Sequence, residues 1–432
     1  MKNLFVLGLI AMASLATSCT SNAPRANEKI ADYLYACEID SVNFELCALA
    51  SEHYRPKNAG ACSEVRKGNF VGRNLDWNIN KEASFIIKTN ATQGRYASIG
   101  VSGCVPVISD SLGNAGGYSD LYTIVPVTTV DGINEKGLYV GVNVAPTGET
   151  SLDKSKWKNH KWGLGAAYTR PEATLTYCTT FLVRFLLDFA ESVDDAKELV
   201  ESVNWFDPCG FPTPDAAQSF HWLICDEKKS AVLEFIDNKP VFLETTEVSK
   251  PSVSTIMTNF SNTLYADSTN RVIQDHGAGY ERYDLLCKGY GATAPTWESM
   301  AKLMESVWYT KCYTIKNGDP NFWLTDNYSD QYPTSKLYGN KDVWNDKGFV
   351  HYIDSLKGMF NDKSNWHTAT STLWYTVHTC IYDLAKRELH IKVSEGLDGQ
   401  KDYYTCGINS TFPRPFDLMP AGHTLFDGKY SK

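Results

Sequence analysis

Three residues whose types could together activate a thiol lie close to one another near the beginning of the chain: Cys62, Arg73 and Asp76. The thiolate is the nucleophilic form of cysteine, and a nearby guanidinium stabilises it. Most cysteine nucleophiles use a histidine as base, but none of the nine histidines has a local context that marks it for this task. The remaining base is the α-amino group of Cys62 itself, whose pKa would be roughly 7.7–8.0. This chemistry requires the backbone to be cut between Ala61 and Cys62.

A short hairpin is predicted to bring the cysteine and the arginine together. Residues 62–65 and 70–73 read as two strands, and the glycine of Lys67-Gly68 predicts a two-residue turn between them. In this register Cys62 lies directly opposite Arg73, with Cβ atoms roughly 4.5–5.5 Å apart. A slip of one residue would move Arg73 to the other face, so the prediction depends on the register.

Asp76 follows Arg73 by three residues and is predicted to accept hydrogen bonds from the α-amino group of Cys62. The same pair also fits a purely structural salt bridge that closes the hairpin. Spacing alone favours neither interpretation.

Composition places the protein among soluble globular chains and excludes some functions. The 432 residues carry a net charge of -9 and no basic cluster, which argues against a general nucleic-acid binder. No CxxC pair and no HExxH string occurs, so a zinc site is not predicted. We expect neither another metal nor a cofactor. The 24 tyrosines and 11 tryptophans fit ordinary packing or an aromatic-lined ligand pocket.

Residues 1–19 are typical of a signal peptide. Lys2 precedes an apolar stretch at 4–16 that is too short to cross a bilayer as a mature helix. The small residues before Cys19 resemble a bacterial lipoprotein processing site, which predicts a membrane tether through a lipid on Cys19. Simple cleavage into the periplasm is the alternative. Either way we expect an exported bacterial protein, periplasmic or anchored to the outer membrane.

Residues 20–61 are predicted to be a helical propeptide and linker. Apolar residues recur at roughly helical spacing from 28 to 50, and residues 55–60 form a turn-rich linker that stops just before Cys62. The alternative is a helical extension that is never cut. Residues 62–432 are then the catalytic domain.

The catalytic domain is predicted to be α+β, because strands, a helical block and further strands follow one another. Ser192 is predicted to divide the helical block as an N-cap, and Thr296 to cap a later helix. The predicted strands are 84–89, 96–101, 121–127, 138–144, 220–225, 231–236, 240–244, 373–383 and 388–394, and the predicted helices are 172–203, 282–286 and 297–309.

Several ordered blocks carry a family resemblance. Cys62 followed by Gly-Arg-Asn-Leu-Asp-Trp at 72–77 resembles the choloylglycine hydrolase family of N-terminal-nucleophile amidases. These include bile salt hydrolases and penicillin V acylases, and they are related to acid ceramidase and N-acylethanolamine amidase. Further similar blocks, in the family's order, lie at 131–143, 220–234, 257–259 and 279–283, and the resemblance runs from Cys62 to about Val393.

The resemblance implies an αββα sandwich that hydrolyses a non-peptide C–N amide bond. It implies that Cys62 is both nucleophile and α-amino base, tuned and held by Arg73 and Asp76. It also assigns Asn259, helped by Asn143, to the tetrahedral oxyanion, and Arg282 to the charge network. Without it, Asn143 would read as a strand-end residue, Asn259 as a turn residue and Arg282 as a solvated helix charge.

The expected function is that of an exported cysteine amidase acting on a small-molecule N-acyl conjugate. Bile salts are the first candidate, followed by N-acyl amino acids, N-acylethanolamines and penicillin V. The segment 20–61 before the nucleophile departs from the pattern of many bile salt hydrolases and resembles that of the ceramidase-like members. The Cys-to-Arg hairpin is shorter than usual for the family. A non-catalytic, lipid-anchored binding protein and a related dipeptidase stay open as alternatives, and the sequence is compatible with a homo-oligomer.

Overall fold

The computed structural model describes residues 28–31, 34–39, 61–78, 84–102, 126, 129–146, 173, 175–206, 218–265, 280–308, 374–393 and 402–412. The signal peptide at 1–19, the linker at 55–60 and nearly all of the predicted strand at 121–127 lie outside these residues.

The described residues form strands and a smaller number of helices. The strands are β1 (Glu28–Ala31), β2 (Leu34–Ile39), β3 (Ala61–Lys67), β4 (Phe70–Asn78), β5 (Ser84–Thr89), β6 (Ser98–Ser102), β7 (Thr129–Asn134), β8 (Tyr139–Pro146), β9 (Thr176–Cys178), β10 (Asn204–Phe206), β11 (Gln218–Cys225), β12 (Ser230–Ile236), β13 (Lys239–Thr245), β14 (Ile256–Met257), β15 (Trp374–Asp383), β16 (Glu388–Val393) and β17 (Tyr404–Gly407). The helices are α1 (Leu182–Phe189), α2 (Val193–Ser202), α3 (Asn262–Tyr265), α4 (Tyr280–Tyr290) and α5 (Trp297–Ser306).

Two large sheets contain most of the strands. Sheet A has nine strands in the order β1-β2-β5-β6-β7-β8-β11-β12-β13, and sheet B has six in the order β14-β3-β4-β15-β16-β17. Nearly all neighbours are antiparallel, and the β2–β5 pair in sheet A is parallel. The short strands β9 and β10 pair separately and in parallel.

The layers follow the order helix, sheet, sheet, helix. A cluster of buried apolar side chains from both sheets joins them face to face, for example Ile99 and Leu223 of sheet A with Tyr382 of sheet B. A second cluster packs α1 and α2 on the other face of sheet A, and a third packs α4 and α5 on the other face of sheet B. The αββα fold that the resemblance implied is confirmed.

Helix boundaries agree with the capping signals in the sequence. The Ser192 side chain accepts a hydrogen bond from the backbone N–H of Asp195, and the Thr296 side chain accepts one from Ser299. The predicted helical stretch at 172–203 was too long, because residues 176–178 pair with β10 as a strand and α1 begins only at Leu182. None of the helices in the described part of the chain is long and apolar enough to span a membrane.

The helix predicted from residue 28 onwards is wrong where the structure describes it. Residues 28–31 and 34–39 are the strands β1 and β2. Leu34, Ala36 and Cys37 are each 0% exposed, so β2 is buried on both faces. A strand that is buried on both faces carries apolar residues without clean alternation, and such a short run also fits helical spacing.

Candidate active site

The hairpin of β3 and β4 exists, but its register differs from the prediction by two residues. Lys67 pairs with Phe70, so the turn is Gly68-Asn69 and Cys62 lies opposite Leu75. Gly68 has a φ of 59° and takes the first turn position, where positive φ favours glycine. Because a shift of two preserves the face, Arg73 still shares a face with Cys62, as its diagonal neighbour.

Successive residues of the string after the turn face two layers in alternation. Gly72 faces α5, where a Cβ would lie 2.6 Å from Met304 Cγ. Asn74 faces the same helix and donates from Nδ2 to the Met304 carbonyl at 2.8 Å. Arg73 points the other way, towards sheet A. The alternation of a strand therefore explains why small, basic and amide residues follow one another here.

Three groups contact Cys62, which is 2% exposed. The sulfur lies 3.8 Å from Arg73 Nη2 and also accepts a hydrogen bond from the backbone N–H of Asp76. The backbone N–H of Cys62 donates to Asn259 Oδ1 at 2.7 Å. Both the sulfur and the nitrogen of one residue are thus held by the residues that the sequence singled out.

Arg73 favours the thiolate of Cys62 as expected, but burial outweighs its effect on the thiol pKa in this state of the chain. Burial raises the pKa of the Cys62 thiol to about 11, although Arg73 acts in the opposite direction. The thiol therefore keeps its proton near neutral pH. A base adjacent to the sulfur is needed to remove it.

Arg73 is a buried cation that ties sheet B to sheet A. It donates from Nη2 to the Val142 carbonyl at 2.9 Å, and Nη1 lies 2.9 Å from Asp131 Oδ2. Its Nε lies 3.5 Å from Glu64 Oε1. Glu64 stands directly opposite Arg73 in the hairpin and also accepts a hydrogen bond from the Tyr139 hydroxyl at 2.9 Å.

The pKa values of the two carboxyl groups that face Arg73 shift in opposite directions. It raises the pKa of Glu64 to about 8, although Arg73 and Tyr139 lower it. Burial also acts to raise the pKa of Asp131, but Arg73 and His378 outweigh it and the net shift is downward. Asp131 is therefore the counter-ion of Arg73 near neutral pH, and Glu64 is largely protonated.

Asp131, His378 and Cys380 are the one group in the described residues whose side chains are close enough to share a metal ion. The Asp131 carboxylate is already paired with Arg73 at 2.9 Å. His378 Nδ1 lies 2.8 Å from Ser84 Oγ, and burial raises the pKa of Cys380 well above its usual value. A divalent cation here would lie beside the Arg73 guanidinium and would need Cys380 as a thiolate. These three residues therefore fit a hydrogen-bonded network better than a metal site.

Asp76 and Arg282 form a second buried ion pair, next to the Cys62 nitrogen. Arg282 Nη1 donates to Asp76 Oδ2 at 2.8 Å, and Thr376 donates to Asp76 Oδ1 at 2.6 Å. Arg282 Nη2 donates to Asn259 Oδ1 at 2.5 Å. Burial raises the pKa of Asp76 to about 6, against the lowering effect of Arg282. The salt bridge between Arg73 and Asp76 that was the structural alternative is not the one observed, because Asp76 pairs with Arg282 and Arg73 pairs with Asp131. The prediction that Asp76 accepts a hydrogen bond from the Cys62 nitrogen differs as well, since this N–H donates to Asn259.

The two asparagines assigned to the oxyanion both donate to backbone carbonyls in this state. Asn143 donates from Nδ2 to the Thr258 carbonyl at 3.2 Å. Asn259 donates from Nδ2 to the Val144 carbonyl, while its Oδ1 faces the Cys62 nitrogen and Arg282. Donors on both sides of Oδ1 fix the amide orientation. Asn259 therefore holds the nitrogen of the nucleophile, and its oxyanion role stays a prediction.

The segment that carries Asn259 is anchored by Glu234, which is 0% exposed. Its carboxylate accepts hydrogen bonds from the backbone N–H of Asn262 at 2.7 Å and of Thr263 at 3.0 Å. It also faces His221 Nδ1 at 3.2 Å, and His221 Nε2 lies 2.7 Å from the Thr258 carbonyl. The segment is thereby fixed on both sides of Asn259.

Sequence reasoning missed Glu64, Asp131, His221, Glu234 and Thr376. Asp131, His221 and Glu234 lie inside the blocks quoted for the resemblance, where a charged or ionisable residue among apolar ones was a signal. Glu64 could have been found as the residue two positions after Cys62 on the same strand face. Thr376 has no local signal, because only tertiary structure brings it to Asp76.

The raised pKa of Glu64 predicts a pH-dependent stability. The folded pKa of about 8 exceeds the unfolded one, so this contribution is fully present below the unfolded pKa of about 4.3 and is lost as pH rises through about 8. We expect the difference in free energy of unfolding between wild type and Glu64→Gln to shrink as pH rises from 5 to 8. Denaturant titrations in a Cys62→Ala background, with an unbroken chain, measure it.

A matched control for that titration is Glu247→Gln, because the Glu247 side chain is 65% exposed and pairs with Lys250 at the surface. We expect the free energy of unfolding of this variant to differ from that of wild type by a small amount that does not change with pH, as is usual for exposed pairs. A Glu64→Gln difference that did not change with pH would contradict a protonated Glu64.

Comparison with known proteins gives a family match and some distant structures. No curated protein sequence matches the chain. The conjugated bile acid hydrolase of Clostridium perfringens, solved as a mutant, is 14% identical, with 81% of this chain and 92% of that chain covered and a TM-score of 0.37. Penicillin V acylase of Agrobacterium tumefaciens is 14% identical, with 77% and 83% covered and a TM-score of 0.34.

The family match begins at the residue on which the site is centred. Residues 62–262 match the linear amide C–N hydrolases of the choloylglycine hydrolase family. Cys62, Arg73, Asp76, Asn143 and Asn259 lie within this segment, and Arg282 lies beyond its end. This match confirms, for residues 62–262, the resemblance to the choloylglycine hydrolase family that the sequence predicted.

Proposed function

We propose that the chain is an exported cysteine amidase that cuts itself before Cys62 and then hydrolyses the linear amide bond of an N-acyl conjugate. One observation carries the proposal: the Cys62 nitrogen and sulfur each have a dedicated set of buried polar neighbours. A cysteine that served only as a buried apolar residue would not need polar partners for both atoms. Only after cleavage can both atoms do chemistry.

The high thiol pKa supports a base that is created by cleavage. At a pKa of about 11 the thiol is almost fully protonated near neutral pH. A free α-amine on the same residue has a pKa of roughly 7.7–8.0 and could take the proton. In this scheme the enzyme has no competent base until the Ala61–Cys62 bond is broken.

The cutting step is an acyl shift followed by hydrolysis. The Cys62 sulfur attacks the Ala61 carbonyl carbon, the C–S bond forms, and the C–N bond of the peptide breaks. The thiol proton goes to the departing Cys62 nitrogen. Water then hydrolyses the thioester, which leaves a carboxylate on Ala61 and a free thiol and amine on Cys62.

Turnover repeats this chemistry on the substrate. The sulfur attacks the amide carbon as the α-amine takes its proton, and the resulting ammonium gives a proton to the leaving amine. Water activated by the α-amine then releases the acyl group as an acid. Asn259 Oδ1, which is 2.7 Å from the Cys62 nitrogen, is placed to accept a hydrogen bond from the amine throughout.

The proposal predicts two chains in active protein and one in a thiol-free variant. We expect Cys62→Ala to stay uncut and inactive, because it lacks the sulfur that attacks both bonds. Denaturing intact-mass analysis, combined with an assay of released amine, measures both effects. Cys406→Ala removes another buried thiol, on β17, and should be cut and active. A fully active protein that retains the Ala61–Cys62 bond would refute the scheme.

Substrate choice is tested with conjugates that vary the amine and the acyl group separately. We propose bile salts as the first substrate class, on the resemblance of the blocks described above. Taurine and glycine conjugates of bile acids, N-acyl amino acids, N-acylethanolamines, penicillin V and dipeptides would be assayed side by side. Binding without release of amine, unchanged in Cys62→Ala, would favour the non-catalytic alternative.

Asp76→Asn tests whether the second ion pair acts on the reacting groups. Asp76 accepts hydrogen bonds from both Arg282 and Thr376, and its backbone N–H donates to the Cys62 sulfur. We expect kcat to fall at least about tenfold with KM nearly unchanged, since the interaction counts in the transition state. A change confined to KM would contradict this role.

Glu234→Gln tests the anchoring of Asn259. The carboxylate accepts four hydrogen bonds and contacts no reacting atom, so it is a positioning residue. A Gln would turn an NH₂ group towards one of these donors, so we expect kcat to fall about tenfold while KM changes little. Glu244→Gln, on the neighbouring strand β13 where Glu244 pairs with surface lysines, should leave kcat unchanged. Equal loss in both variants would contradict the assignment.

We also propose export through the segment 1–19, with a lipid on Cys19 as the tether. The apolar stretch and the small residues before Cys19 support this proposal. Membrane fractionation of wild type and Cys19→Ala tests it, because only the lipidated form should partition with the membrane.

A further inference from the structure

We propose that the segment of residues 28–39 stays bound after cleavage, as a separate small chain that completes sheet A. This inference rests on the proposed cut before Cys62. Both β1 and β2 precede the cut, yet β2 pairs with β5 over six residue pairs from Leu34–Ser84 to Ile39–Thr89. β1 then pairs with the other side of β2. A propeptide that is released would not be part of the main sheet.

Apolar contacts hold β2 in the core between the two sheets. Leu34 and Ala36 are each 0% exposed and belong to the same buried cluster as Ile86 and Ile99. Cys37, on the opposite face of the strand, is also 0% exposed. Loss of β2 would expose both sets of contacts to water, and area removed from water is the main favourable term in association.

Removal of β2 would also leave β5 as the edge of the sheet. All six residues of β5 are buried in the described structure. As an edge, β5 would present a row of unpaired backbone groups, with Phe85, Ile86 and Ile87 at the centre of the strand, which is a template for aggregation. Retention of the small chain avoids this.

A polar contact fastens β2 to the end of the described chain. The Glu38 carboxylate lies 3.3 Å from Lys88 Nζ and accepts a hydrogen bond from Asn90 Nδ2 at 2.7 Å. It also accepts one from the backbone N–H of Phe412 at 3.2 Å. Lys88 in turn donates to the Ser410 carbonyl at 2.6 Å. One carboxylate of the small chain thus contacts two separate segments of the large one.

Mass analysis of the purified full-length protein after maturation tests the inference. Under denaturing conditions we expect two chains, one ending at Ala61 and one beginning at Cys62. Under native conditions we expect a single mass equal to their sum. An active preparation with one unbroken chain would overturn both the cleavage and this inference. Two fragments of which only the large one survives gel filtration, with full activity, would overturn this inference alone.

Variants of the small chain identify what holds it. Ala36→Pro removes a backbone donor from a strand that is paired on both sides, and we expect the matured protein to lose the small chain or fail to mature. Glu38→Gln is milder and should release the small chain at least about tenfold faster in dilute denaturant. Glu247→Gln, at an exposed surface pair, is the control and should release it at the wild-type rate. Equal release in Glu38→Gln and the control would contradict the contact described here.

Discussion

The buried guanidinium of Arg73 is the interaction on which the site depends. It reaches from sheet B across to the Val142 carbonyl and Asp131 in sheet A, and it lies 3.8 Å from the Cys62 sulfur. A cation in this position needs a carboxylate partner, because an unpaired charge in the interior costs several kcal/mol. The chain supplies Asp131 as that partner. The position of the nucleophile is therefore tied to the spacing between the two sheets.

Different layers supply the other parts of the site. The hairpin of sheet B places Cys62, sheet A places Asn143, and helix α4 of the outer layer brings Arg282. The segment with Asn259 joins them, because its amide contacts the Cys62 nitrogen, the Val144 carbonyl and Arg282. The site is thus assembled from three layers and one connecting segment, and contacts from several elements hold the nucleophile in place.

The sequence predicted the residues of the site better than their contacts. Strand periodicity sufficed to place Cys62 and Arg73 on one face, because a register error of two residues preserves the face. The protonated thiol could not be predicted, since it depends on burial by residues far along the chain. The same holds for the contact between Asp76 and Arg282, which are 206 residues apart. Both asparagine contacts depend on which carbonyls the fold brings near, and no local pattern records that.

The parallel pairing of β2 with β5 bears on how the molecule could be rebuilt once it has been unfolded. In an unbroken chain, residues 40–83 keep the two strands within reach, and closing such a loop has only a modest entropic cost. A cut before Cys62 removes this connection, so the two strands would have to meet by bimolecular collision. The high effective concentration that the linker provides in the unbroken chain would be lost. Refolding of the matured protein would then depend on concentration, and thermal inactivation would become irreversible in practice. After maturation, the rate of unfolding, and not an equilibrium between folded and unfolded states, would determine how long the protein stays active.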